Sequence, residues 1–100
     1  MAGLNFDVRH DDGHVTIAVA GEVDLATAPE LAARLAQYPD RDVTVDLADV
    51  AFLDSSGLTV LAVARTRLAE NGHSLRTTNE QEHVRRVIEV AGLDKLFHDD

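Results

Sequence analysis

The apolar residues of this chain change their spacing as it runs, and that change limits the folds open to it. Leu4, Phe6 and Val8 alternate with polar residues, as do Val15, Ile17 and Val19. Side chains two apart share one face of a strand. Asp11-Asp12-Gly13-His14 lies between the two runs and has turn composition, which predicts a hairpin. Gly21-Glu22-Val23-Asp24 then leaves the sheet, and the spacing becomes helical. Thr27 and Glu30 stand as in a capping box, with Pro29 in the first turn, where a missing N–H costs little. Leu31 and Leu35 share a face, and Tyr38-Pro39-Asp40 ends the helix. Strand spacing returns at Val43, Val45 and Leu47, with Asp46 on the opposite face.

Phe52 and Leu53 lead into Asp54-Ser55-Ser56-Gly57. A second helix is predicted from about Gly57 to Asn71, its buried stripe Leu61, Ala64 and Leu68 flanked by Val60 and Val63. Asn71-Gly72 stops it. Ser74 to Thr78 makes a short fourth strand whose one strongly apolar residue is Leu75. Val84, Val87, Ile88 and Ala91 mark a third helix closed by Gly92, and Leu93, Leu96 and Phe97 are expected to pack a short last turn. The order is β-β-α-β-α-β-α. Strands joined through helices run parallel by right-handed crossovers. The expected fold is therefore α/β: a four-stranded mixed sheet with helices mainly on one face, residues 1–100 forming one domain.

Composition narrows the function. With 45% hydrophobic and 27% charged residues the chain is an ordinary folding sequence and not a disordered one. It has no cysteine, which rules out disulfides and thiolate chemistry. A formal net charge of -9 repels phosphate backbones and anionic lipid, so neither nucleic acid nor membrane is an expected partner. A basic or mixed-charge protein surface suits it better. The start, Met1-Ala2-Gly3-Leu4-Asn5, has neither a basic nor an apolar run, and no stretch approaches membrane-spanning length. A cytoplasmic protein is expected. Nothing demands a dimer, and a monomer is the simplest expectation.

No catalytic constellation stands out. A nucleophilic serine needs a base and an oxyanion hole, and no Gly-x-Ser-x-Gly elbow is present. His10, His14, His73, His83 and His98 are scattered, with His73 and His83 expected at the surface. His10-Asp11-Asp12 with His14, and His98-Asp99-Asp100, read as solvated turn and tail residues, not as metal ligands. There is no Walker-type loop, and no cofactor is called for.

The informative stretch runs from Val43 to Leu61, where a strand delivers Asp54-Ser55-Ser56-Gly57 to a helix start. Free N–H groups at such a start favour an anion. A phosphoserine there leaves the fold intact, while its charge, about -1.5 to -2, disrupts an interface by repulsion and desolvation. Taken alone, the four residues read first as an N-cap with a glycine easing the turn.

The wider pattern adds to this. Gly21-Glu22-Val23-Asp24, Thr27-Ala28-Pro29-Glu30-Leu31, Val45-Asp46-Leu47 and Phe52-Leu53-Asp54-Ser55-Ser56-Gly57-Leu58 follow in order, then Val84-Arg85-Arg86-Val87-Ile88 and Ala91-Gly92-Leu93-Asp94-Lys95-Leu96-Phe97. Together they resemble the STAS domain family, and within it the bacterial anti-sigma factor antagonists. The resemblance implies a non-enzymatic regulator that binds an anti-sigma factor, itself a serine kinase, and so releases a sigma factor. It implies phosphorylation of Ser56, which breaks the complex, and a separate serine phosphatase that restores it. Asp24 matches an acidic residue beside that serine, Asp54, Ser55 and Gly57 shape the loop, and Thr59 is a secondary acceptor. The resemblance also admits a STAS scaffold or stress-signalling module with no direct sigma-factor circuit. Leu75-Arg76-Thr77-Thr78 is less apolar than the fourth strand of such proteins.

Overall fold

The computed structural model describes residues 3–98. Strands β1 (Asn5–Asp11) and β2 (His14–Val23) form the expected antiparallel hairpin. Its turn residues Asp12 and Gly13 take φ values of 46° and 80°, the left-handed pair that a tight two-residue hairpin requires and that Asp-Gly supplies. Helix α1 (Ala28–Leu35) carries the chain to β3 (Asp42–Leu53), α2 (Ser55–Glu70) to β4 (Leu75–Thr78), and α3 (Glu82–Val90) and α4 (Asp94–His98) follow. The sheet order is β1-β2-β3-β4, with β2, β3 and β4 parallel.

One face of the sheet holds the core. Ile17, Val45 and Thr77 lie in register across three strands, as do Val15, Val43 and Leu75, and all six are buried. Leu31 and Leu35 of α1, Leu58, Leu61 and Leu68 of α2, Val84 and Ile88 of α3, and Phe97 of α4 close over them. The opposite face, with Asp7, Thr16, Thr44, Asp46 and Arg76 across the strands, is polar. A one-sided sheet of this kind produces the in–out alternation that the sequence displays.

One detail extends the sequence reading and three depart from it. β3 continues past Val43, Val45 and Leu47 to Leu53. Its buried residues change from every second (Val43, Val45, Leu47) to every third (Leu47, Val50, Leu53). The register against β2 slips twice, between Ala18 and Ala20 and between Gly21 and Glu22. Each slip places one extra β3 residue in the ladder, a β-bulge that sharpens the twist. α2 starts at Ser55, two residues before the expected Gly57, because Asp54 is its N-cap. Thr27 and Glu30 form no capping box: the Thr27 hydroxyl makes no cap bond, and the Glu30 carboxylate accepts from the Leu4 N–H at 2.8 Å, tying α1 to the start of the hairpin. Finally, Leu96 is 38% exposed and only Phe97 of that last pair enters the core. A five-residue helix cannot bury both neighbours on one face.

Candidate functional site

The strand ends build the site. Val23 ends β2 beside Leu53, which ends β3, and the Asp54 N–H donates to the Val23 carbonyl at 3.1 Å. The segment after Val23 and the segment after Leu53 therefore leave the sheet side by side. They do so at the carboxyl ends of adjacent parallel strands, where open α/β sheets place their binding sites.

Each segment is fixed from within. In the first, one Asp24 carboxylate oxygen accepts from the N–H groups of Ala26 and Thr27, both at 3.0 Å. The buried Thr27 hydroxyl donates to the Glu22 carbonyl at 2.7 Å and accepts from the Asp24 N–H at 3.0 Å. In the second, one Asp54 carboxylate oxygen accepts from the Ser56 N–H at 2.9 Å and from the Gly57 N–H at 3.3 Å. The charge that the helix start attracts is thus the protein's own. Gly57 is needed for space: a Cβ there would stand 2.7 Å from Leu53 Cδ1 and from Val23 Cγ1. Its bare backbone lets the first turn of α2 rest on the last residues of both strands.

Ser56 occupies the second position of α2 and is half-buried, and its hydroxyl makes no hydrogen bond among the described residues. Ser55 is exposed. Thr59 is exposed too, but its hydroxyl already donates to the Ser55 carbonyl at 2.9 Å. The structure therefore brings Asp24, Asp54, Ser55, Ser56 and Gly57 to one end of the sheet, with Thr59 one helical turn beyond. Sequence reasoning passes over two neighbours. Leu25 is 78% exposed between the two anchored residues Asp24 and Thr27, and Phe52 is 43% exposed, opposite Glu22 in the β2–β3 ladder. An apolar residue inside a turn is a readable sign of Leu25. Phe52 falls on the outward, even-numbered side of β3 with Thr44 and Asp46, since the two bulges together restore the alternation by Leu53.

Chemically the surroundings are acidic and apolar. Gly21–Thr27 and Val50–Thr59 contain Glu22, Asp24 and Asp54, and no lysine, arginine or histidine. The carboxylates of Asp24 and Asp54 are both engaged with backbone N–H groups of their own segments. An apolar groove of about 300 Å³ runs from Thr59 between α1 and α2 past Leu35, Tyr38, Val60 and Val63, with Arg67 the one charged residue along it. Among the described residues no three histidine or acidic side chains are placed to hold a metal ion, and no helix is long and apolar enough to cross a membrane.

This sheet, its one-sided helical layer and the paired strand ends define a STAS domain. The family model described as "Mlab, STAS domain" matches residues 6–98, and the chain belongs to that family. An anti-sigma-B factor antagonist of Staphylococcus epidermidis is 34% identical over 99 residues, covering 95% of this chain and 91% of the relative. The anti-sigma-B factor antagonist of Bacillus subtilis is 30% identical over 96 residues, covering 94% and 88%. The crystal structure of an anti-sigma factor antagonist from Mycobacterium paratuberculosis superposes with a TM-score of 0.79 at 33% identity, covering 94% of this chain and 82% of that one.

Proposed function

We propose that this protein is an anti-sigma factor antagonist, acting in the bacterial cytoplasm and switched off by phosphorylation of Ser56. One observation supports the switch above others: Ser56 stands with a free hydroxyl in the first turn of α2, between anchored segments bearing exposed Leu25 and Phe52. Leu25 and Phe52 supply apolar contact for the partner, and Glu22, Asp24 and Asp54 meet a basic rim on it. The partner is an anti-sigma factor with serine kinase activity, and a serine phosphatase reverses the modification. A phosphate on Ser56 adds about -1.5 to -2 charges to an already acidic surface. Its amide is held by Asp54, so the new charge lies toward the partner and repels whatever acidic or apolar group had docked there. The fold, held by Asp54 and Gly57, is unaltered.

The test is mass spectrometry on protein recovered from its own cells, growing and stressed, with bound partners retained. Trypsin releases residues 42–65 as one peptide, in which fragmentation separates Thr44, Ser55, Ser56 and Thr59. Phosphate on Ser56 that varies with condition, and a kinase bound only to the bare form, are the expected results. Bare Ser56 throughout, with no kinase recovered, would replace this reading with a constitutive scaffold. Ser56→Ala is expected to fold and bind in all conditions, and genuinely phosphorylated protein to lose binding.

A further inference from the structure

The far end of the sheet edge carries a second device that the Ser56 site does not use. β4 ends at Thr78, Asn79 turns the chain with φ 61°, and Glu80 follows with its side chain only 5% exposed. A carboxylate so enclosed needs partners. The Thr77 hydroxyl donates to it at 2.6 Å, and His98 Nε2 of α4 donates to the same oxygen. The other ring nitrogen, His98 Nδ1, donates to Asp94 at 2.8 Å. With a carboxylate on each nitrogen, both nitrogens must carry hydrogen, which is the imidazolium form.

Apart from this cluster, α4 is held among the described residues by one core side chain and two backbone contacts. Phe97 is buried in the core, the Phe97 N–H donates to the Leu93 carbonyl at 3.2 Å, and Arg65 of α2 donates to the Leu96 carbonyl at 3.0 Å. Among the described residues, Glu80 and Asp94 are the charged groups that pair with His98. Arg65 meets α4 through a carbonyl, and Glu82, Arg85, Arg86 and Glu89 of α3 pair among themselves.

We propose that His98 is a proton-operated clasp: charged, it pins α4 to the corner between β4 and α3 by bridging Glu80 and Asp94, and neutral, it lets that helix loosen. A neutral imidazole has one N–H, so it can serve one carboxylate and must leave the other. Partial burial disfavours the charged ring, but the two carboxylates outweigh that and hold His98 above its ordinary value of 6.5. Burial likewise opposes the Glu80 charge, and Thr77 and His98 prevail, keeping its carboxyl below the ordinary 4.5. The signs follow. The His98 contribution is whole below pH 6.5 and is lost as pH rises through the raised folded value. The Glu80 contribution is present above 4.5 and is lost as pH falls through the lowered one. The clasp is tightest between those limits.

The experiment is NMR on the full chain from about pH 5.5 to about 9, a range that brackets the ordinary histidine value, following the His98 ring and the amide protection of Phe97. A His98 midpoint above 6.5 is expected. Protection of Phe97, corrected for intrinsic exchange, should fall as pH rises through that midpoint, about tenfold in all if the midpoint stands one pH unit above the ordinary value. His98→Gln should lose this pH dependence. Glu80→Gln, which keeps a neutral partner, should move the His98 midpoint downward. A midpoint at or below 6.5, or protection that falls equally in His98→Gln, would overturn the clasp.

Discussion

Gly57 and Asp54 do different work at the same turn, and substitution separates them. Gly57→Ala pushes a methyl group to 2.7 Å from two buried side chains, an overpacking expected to cost about 1–3 kcal/mol. Urea denaturation would measure it, and truncating Leu53 in the same protein should relieve part of the clash while opening a cavity nearby. Asp54→Ala strands the Ser56 and Gly57 N–H groups and is expected to cost about 1 kcal/mol, in the range of other N-cap deletions. It also removes a negative charge beside Ser56. A phosphoserine installed at position 56 should therefore titrate lower in Asp54→Ala than in the parent, by phosphorus NMR, since like charges disfavour the second ionisation. The cap is legible in Asp-Ser-Ser-Gly, but the glycine reads there as easing a turn, whereas it is room against Val23 and Leu53 that requires it. The role of Thr27 is not legible. Capping-box spacing makes Thr27 and Glu30 partners of each other, yet Thr27 bonds to Glu22 and Asp24, and Glu30 to Leu4. Spacing along one helix carries no information about a strand folded back beside it.

At the scale of elements, β3 shows where periodicity stops being a guide. Alternation locates its first half. The second half is strand as well, but two bulges change the burial period from two to three, a spacing that resembles helix as much as strand. β4 is the reverse: weakly apolar in sequence, it is a strand because β3 offers it an edge, with Leu75 and Thr77 turned inward. Its entry is fastened to the start of β3. The Asp42 carboxylate accepts from the Ser74 N–H at 3.0 Å, with His73 Nδ1 at 3.4 Å. The Ser74 bond, aided by His73 against partial desolvation, holds Asp42 below its ordinary 3.8. A lowered carboxyl lends stability above the unfolded value and loses it as pH falls through the folded one. Parent and Asp42→Asn stability curves should therefore converge below about pH 3.8 and separate above it, with the parent more stable.

The whole molecule is an acidic body with a one-sided sheet, and both properties bear on how it meets a partner. A net charge of -9 speeds encounter with a basic surface, an advantage that fades as salt screens it, over a Debye length of about 10 Å at 0.1 M. Stopped-flow association with the anti-sigma partner should slow as sodium chloride rises, while dissociation changes less. The fold class, the hairpin, the crossovers and the position of Ser56 can all be read from the chain. That Leu25 and Phe52 stand at the same strand ends cannot, because it depends on how β2 pairs with β3 in three dimensions. Those strand ends have one more consequence. Val23 and Leu53 are buried to within 1%, and a backbone hydrogen bond ties Val23 to the residue after Leu53, so Ser56 sits on a stiff footing. In the switch proposed above, a phosphate written there acts as added charge on a fixed support, and the speed of the response is then set by how fast the complex comes apart and not by a rearrangement within this chain.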